Sequence, residues 1–238
     1  MRRREFVAAS SAFAASASGC IGALRDEDDG MVTGDVPPDA SYAVSVGVEG
    51  LSRAAPIDIE VRLVRAGFSA VHQTVDAETL GDYRDEFEDA LRRDDEQAVE
   101  RISAEIRDEY SPDDAARFEL TLTNTADETV EVFSGAPAPF GVLYAEEGDD
   151  DAVSRRLLWS DAYAESEHVN FYPRGLVPDD IGNTTEMKAG KTLTQAYEVA
   201  FPPGEYRVDG SVDASRPDAE GNETYPYTVV IEVDETEA

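Results

Sequence analysis

Two histidines are the most obvious candidates for acid–base or metal chemistry. His72 and His168 lie far apart, and neither has a second histidine or a carboxylate at the spacing of a metal site such as His-Glu-x-x-His. The sequence also has no Gly-x-Ser-x-Gly motif for a nucleophilic serine and no Gly-rich phosphate loop. We therefore expect neither enzyme activity nor a bound metal or cofactor, and we predict packing or surface roles for both histidines.

Carboxylates are so abundant that no pair stands out as an acid–base couple. The chain has 52 Asp and Glu against 20 Lys and Arg, a formal net charge of −32. The densest run, residues 146–151, has the oxygen ligands that calcium prefers but lacks the spacing of an EF-hand loop, so we interpret it as a solvated turn. The basic residues form no stripe that could replace the counterions of nucleic acid, which is therefore not an expected partner.

The acidic residues are spread along the whole chain, a pattern that indicates a salt-loving archaeon as the source. At multimolar salt the Debye length falls to about 3 Å or less, so surface carboxylates repel only their near neighbours while they still hold water. The acidity is thus interpreted as an adaptation to the solvent rather than as a partner-binding feature.

The N-terminus has the composition of an export signal. Arg3-Arg4-Glu5-Phe6-Val7 resembles the twin-arginine signal, which Arg3, Arg4 and Phe6 match. A run without carboxylates follows over residues 6–19, and it is shorter than the ~20 apolar residues that a membrane-spanning helix needs. We predict that residues 1–19 are a signal peptide and not a transmembrane anchor.

Cys20 is the only cysteine and lies where such a signal would be cleaved. Ala17-Ser18-Gly19-Cys20 resembles the lipobox of lipoproteins, although Ala17 stands where leucine is usual. The resemblance implies a lipid on Cys20 and an anchor at the extracellular face of the cell membrane. Residues 20–39 would then form an acidic tether. The alternative is a free thiol beside a signal that is cleaved elsewhere.

Two sequons for N-glycosylation accompany this export signal. Asn183-Thr184-Thr185 and Asn222-Glu223-Thr224 both lie in polar stretches. Because sequons have meaning only on an exported chain, Asn183 and Asn222 are candidate glycosylation sites on condition of export.

The period of the apolar residues predicts a mainly β chain. Apolar and polar residues alternate over residues 42–48 and 57–64, and an extended run at 68–75 is a candidate partner for the second of these strands. Alternation returns after residue 112, where 118–124 and 130–133 are predicted to form a hairpin. Because half-buried strands need a second layer, we predict one antiparallel, immunoglobulin-like β-sandwich over residues 40–238.

A helical period interrupts the strands at about residues 77–109. Leu80, Phe87 and Leu91 follow it, as do Ile102 and Ile106 after a polar break. We predict an inserted amphipathic helix pair, or one bent helix. Asp94 and Gln97 are expected to form a capping box at the start of the second segment. The insertion either covers a sheet face or binds a partner.

Residues 163–181 are the least regular part of the sequence. The candidate partner contacts there are His168, Phe171, Tyr172 and Arg174, because exposed aromatic residues beside an arginine suit an interface anchor. The alternative is a loop that folds over the edge of the sandwich.

The order of segments over residues 118–233 resembles the immunoglobulin-like domain of the Bacillus intracellular proteinase inhibitor family, called BsuPI-type. The resemblance covers about half of the chain. It implies the sandwich fold and, as one option, inhibition of an exported protease. The N-terminal strands, the helices and the export signal depart from that family. The matching segments are residues 118–124, 130–135, 140–142, 158–160, 189–192 and 203–206.

These observations together predict a protein that acts by binding. The first hypothesis is a lipid-anchored interaction module of a haloarchaeal cell envelope, whose partner is an envelope protein. The second is an inhibitor of an exported protease. The third is an accessory substrate-binding lipoprotein, although such proteins usually consist of two α/β lobes around a cleft.

Overall fold

The computed structural model describes residues 24–25, 31–51, 55–72, 75, 77–147, 154–179, 182–216 and 221–236. Its helices are α1 (Ala77–Arg92), α2 (Glu96–Tyr110) and α3 (Asp161–Glu165). Its strands are β1 (Leu24–Arg25), β2 (Val32–Thr33), β3 (Tyr42–Glu49), β4 (Ile57–Arg65), β5 (Gly67–Phe68), β6 (Ala116–Asn124), β7 (Val130–Ser134), β8 (Tyr144–Glu147), β9 (Ser154–Leu157), β10 (Val169–Tyr172), β11 (Gly175–Pro178), β12 (Asn183–Met187), β13 (Thr192–Val199), β14 (Gly204–Ser215) and β15 (Glu223–Glu235).

Two antiparallel sheets form the predicted β-sandwich. In the large sheet the order is β1-β2-β3-β15-β14-β7-β12, with β5 beside β3 and the β8–β9 ribbon attached to β14. In the small sheet the order is β13-β6-β4. The alternation in β6 is complete, since Phe118, Leu120 and Leu122 are fully buried while the residues between them are half-buried. Both sheets contribute to one hydrophobic core.

The helix pair predicted for residues 77–109 is confirmed as α1 and α2. Their apolar stripe is buried at Phe87, Ile102 and Ile106. The pair packs against the β10–β11 hairpin, where Phe87 meets Tyr172 edge to face at 5.8 Å between ring centroids. The predicted cap is off by one residue, because the side chain of Asp95 accepts the hydrogen bond from the N–H of Ala98 at 3.1 Å.

The hairpin predicted for residues 118–124 and 130–133 is wrong, because β6 belongs to the small sheet and β7 to the large one. Asn124 makes the corner between them. Its side-chain N–H groups donate to the carbonyls of Glu128 and Met187, each at 2.8 Å, and its side-chain oxygen accepts from the N–H of Ala126 at 2.9 Å. A local turn therefore carries the chain from one sheet to the other instead of reversing it within one sheet.

Two N-terminal segments also lie differently from the sequence interpretation. Residues 68–75 are expected to pair with β4, but β5 pairs with β3, because Ala66 alone separates β5 from β4 and one residue is too short for a hairpin loop. Val32, in the segment interpreted as tether, pairs with Val46 and is buried. The large sheet therefore includes two short strands, β1 and β2, from within residues 20–39.

Candidate functional site

An open groove of about 660 Å³ lies at the surface of the described part of the chain. We call it the proline-loop groove, because the connection between β7 and β8, with Pro137 and Pro139, forms one wall. Its walls include Phe133, Phe140, Tyr144, Pro178, Asp179 and Asp213. The groove thus combines three aromatic residues with two carboxylates. The aromatic residues all belong to residues 133–144, whereas Asp179 follows β11 and Asp213 lies in β14.

Local hydrogen bonds hold the proline-loop wall in place. Gly141 has a φ of 72°, which favours glycine, and its N–H donates to the carbonyl of Pro137 at 2.8 Å. The N–H of Leu143 donates to the hydroxyl oxygen of Tyr163 at 3.0 Å in the interior. Burial raises the pKa of that hydroxyl well above its usual range, so Tyr163 stays neutral at physiological pH.

The charged residues of the groove wall are acidic. Asp179 accepts from the side-chain amide of Asn170 at 2.9 Å, and its carboxylate lies 3.4 Å from Nδ1 of His168. Asp213 accepts from the hydroxyl of Thr224 at 2.6 Å. Each carboxylate keeps acceptor capacity beyond these bonds, so the wall favours a cationic group.

Tyr144 is the exposed aromatic residue of the groove wall. It is 37% exposed, and the guanidinium of Arg155 lies 5.9 Å from its ring centroid. Partial burial raises the pKa of its hydroxyl, so the hydroxyl remains a neutral donor and acceptor. A rigid aromatic side chain with a polar end is the type of residue that anchors protein interfaces.

The four predicted partner contacts do not form one exposed patch. Phe171 is buried against Tyr110 and Trp159, with ring centroids 6.3 and 6.0 Å away. Tyr172 and Arg174 are exposed on the β10–β11 hairpin, and His168 lies beside Asp179 at the groove. The expectation that Phe171 is exposed is therefore wrong. Residues 169–172 form a strand in which the alternate side chains of Val169 and Phe171 are buried.

The two sequons differ in accessibility. Asn222 and Thr224 are exposed at the turn between β14 and β15, whereas Asn183 and Thr185 are half-buried at the start of β12. Residues Arg3, Arg4, Phe6 and Cys20, on which the export and lipid predictions depend, lie outside the described residues.

The described ranges contain neither a metal-binding cluster nor a membrane-spanning helix. There, no group of three or more His, Cys, Asp or Glu side chains is arranged to hold a metal ion. Likewise, none of the helices in that part of the chain is long and apolar enough to cross a membrane.

Sequence reasoning missed the proline-loop groove. The available signal was the cluster of Gly135, Pro137, Pro139 and Gly141, which marks a structured connection. Its neighbours in the groove come from β11 and β14, which lie distant in the sequence. Only the tertiary fold therefore brings Asp179 and Asp213 to the same concavity.

Comparison with known proteins places the chain in a family. The chain resembles a solved structure, Northeast Structural Genomics Consortium target SoR45, with 10% identity, a TM-score of 0.28 and coverage of 77% of this chain and 89% of that one. No curated protein sequence matches. The model of a domain of unknown function, DUF8130, matches residues 94–238, which include β6 to β15 and the whole proline-loop groove. The chain belongs to the DUF8130 family.

Proposed function

We propose that this protein is a non-enzymatic binding module that captures an extended segment of an envelope protein in the proline-loop groove. In this proposal the module is anchored through a lipid on Cys20 at the extracellular face of a haloarchaeal cell membrane. The observation that supports binding most strongly is the open groove of about 660 Å³ with Phe133, Phe140 and Tyr144 in its wall. Its volume lies in the range of about 300–1,000 Å³ that is usual for ligand sites.

Two features favour a polypeptide as the occupant. The groove wall includes Gly182, which directly precedes β12, and β12 pairs with β7 but with no other described strand. An extended segment can therefore reach unpaired backbone groups beside the groove and place alternate side chains in it. Asp179 and Asp213 select a segment with a lysine or arginine side chain, and Tyr144 contacts that residue or an apolar neighbour.

The test uses the full-length protein in its host at native salt. Tyr144 is replaced by the photo-crosslinking amino acid p-benzoylphenylalanine, and the captured proteins are identified by mass spectrometry. Tyr172 is the matched control site, because it is also a tyrosine and also 37% exposed but lies outside the groove wall. We expect one envelope protein to be captured from position 144 and not from position 172.

The groove carboxylates and the anchor are tested separately. Asp213→Asn should lower the yield of the position-144 product several-fold by weakening recognition of the cation, since hydrogen bonds to charged groups contribute about 1.5–3 kcal/mol. Cys20→Ser should release the protein from the membrane fraction without changing the groove. Capture of a partner from position 172 alone would show that the hairpin surface, and not the groove, is the binding site.

A further inference from the structure

The two sequons have no part in the function proposed above. Asn183 and Asn222 each lie two residues before a threonine, the pattern that N-glycosylation requires. The twin-arginine signal that residues 3–7 resemble typically carries folded cargo. On a chain that is exported after folding, the transferring enzyme reaches a sequon only where the folded surface presents its asparagine side chain. The fold therefore distinguishes one sequon from the other.

Asn183 lies on the buried face of β12. Because side chains alternate along a strand, Asn183 and Thr185 share their face with Met187, which is fully buried in the core. Both sequon residues are half-buried, whereas the residues between these positions are exposed. The backbone of Asn183 is also paired with Ser134 of β7. The amide nitrogen that would receive a sugar thus belongs to the core-packing face of a paired strand.

Asn222 lies at an exposed turn. It directly precedes β15, and Gly221, Glu223 and Thr224 around it are exposed as well. Gly221 has a φ of 106°, a left-handed conformation that favours glycine. A side chain built at this glycine would meet no described atom within 4 Å. The chain at Asn222 is therefore open to the approach of a large enzyme.

Thr224 keeps the hydroxyl of this sequon at the surface. It lies opposite Asp213 in the ladder between β14 and β15, and its hydroxyl donates to that carboxylate at 2.6 Å. Because Thr224 is exposed, water can solvate the carboxylate when an enzyme engages the hydroxyl. The hydroxyl that the sequon requires is thus available without any change in the core.

We propose that Asn222 is the N-glycosylated residue of this protein and that Asn183 stays unmodified. The donor is an oligosaccharide linked to a membrane lipid phosphate. In the transfer, the bond between C1 of the first sugar and the phosphate oxygen breaks, and a bond forms between C1 and Nδ2 of Asn222. One amide proton goes to a base of the enzyme, and the lipid phosphate leaves with the electron pair. The proposal rests on the extracellular location proposed above but not on the proline-loop groove.

The surroundings of the two sequons differ in the same direction. Asn183 directly follows Gly182 of the groove wall, so a glycan there would compete with a polypeptide for the free edge of β12. Beside Asn222 lies a separate concavity of about 280 Å³, whose walls include Pro56, Tyr225 and the residues on both sides of Asn222. This concavity shares no wall residue with the groove, so the first sugar on Asn222 has a surface of its own.

The test uses the full-length protein in its host at native salt. Intact cells are labelled with an amine reagent that cannot cross the membrane, to which Lys188 and Lys191 are exposed, and the labelled molecules are recovered. Peptide mass spectrometry then gives the glycosylated fraction at each sequon. We expect this fraction to be about tenfold or more higher at Asn222 than at Asn183.

Variants identify the residues responsible. Asn222→Gln and Thr224→Ala should each abolish the glycosylated form, whereas Thr224→Ser, which keeps the hydroxyl, should retain it. Asn183→Gln is the matched control and should leave the glycosylated fraction unchanged. A glycan on Asn183, or an unmodified Asn222 on labelled molecules, would overturn the proposal. Failure to label any molecule would overturn the extracellular location and this proposal with it, whereas crosslinking from position 144 tests the groove independently.

Discussion

Asn124 shows how much structure depends on one buried amide. It is 1% exposed, and its side chain takes part in three hydrogen bonds to main-chain groups at the corner between the two sheets. Removing this side chain leaves the carbonyls of Glu128 and Met187 and the N–H of Ala126 without these partners. Because unsatisfied buried groups are costly, we expect Asn124→Ala to lower the free energy of unfolding by about 2–4 kcal/mol.

The measurement is denaturant unfolding at fixed high salt, with Asn222→Ala as the control. Asn222 is exposed in the turn before β15, so its replacement should change the free energy of unfolding by about 0.5 kcal/mol or less. Equal effects of the two substitutions would contradict the role of Asn124 as the corner residue.

Single residues also show the limits of reading the sequence. Asn124 after an alternating strand indicates a turn, but no local signal identifies Met187, 63 positions away, as its partner. Phe171 is an exposed contact in one of the two interpretations of residues 163–181, although residues 169–172 alternate apolar and polar side chains up to Tyr172. The signal was present there, but the surrounding polar residues and prolines favoured a loop.

The helix pair is the element that the sequence predicted best. A period near 3.6 over two consecutive stretches is a strong local signal, and it defined the elements to within about one residue. What the pair covers was not predictable, because the β10–β11 hairpin beneath it was not recognised. Of the two open alternatives, covering part of the molecule agrees with the packing of α2 on β10.

The contribution of the helix pair to stability can be measured at α2. Ile106 is fully buried, so Ile106→Ala should lower the free energy of unfolding by about 2–5 kcal/mol through lost burial and the cavity left behind. Leu91→Ala on α1 is the matched control, since Leu91 is 54% exposed and should contribute about 0.5 kcal/mol or less. Chemical denaturation checks both, and an Ile106→Ala protein as stable as Leu91→Ala would mean that the pair does not dock as described.

At the scale of the whole molecule, charge is the dominant property. A net charge of −32 on 238 residues destabilises a compact state by self-repulsion unless salt screens it. We expect the thermal unfolding midpoint, followed by circular dichroism, to rise by on the order of 10 °C between about 0.1 and 3 M KCl.

A less acidic variant provides the control for this salt dependence. Changing the exposed residues Asp58, Glu60 and Glu235 to their amides should lower the KCl concentration at which the unfolding midpoint levels off. A midpoint that is independent of KCl, or that is highest at low salt, would contradict screening as the source of stability.

Fold class was predictable because periods of two and 3.6 are local, whereas the proline-loop groove was not, because residues that lie far apart in the sequence form its walls. Lipid attachment, export and protease inhibition stay predictions from short motifs and a family resemblance. The twin-arginine and lipobox residues, on which the export and lipid predictions rest, lie outside the described part of the chain.

The position of β15 has a consequence for synthesis of the protein. This late strand lies in the interior of the large sheet, between β3 from the N-terminal third and β14. Until Glu235 has left the ribosome, β3 lacks its longest partner strand and part of the apolar core stays uncovered. The domain therefore completes its folding after translation of β15, and the nascent chain offers β3 as a strand that chaperones can shield in the interval.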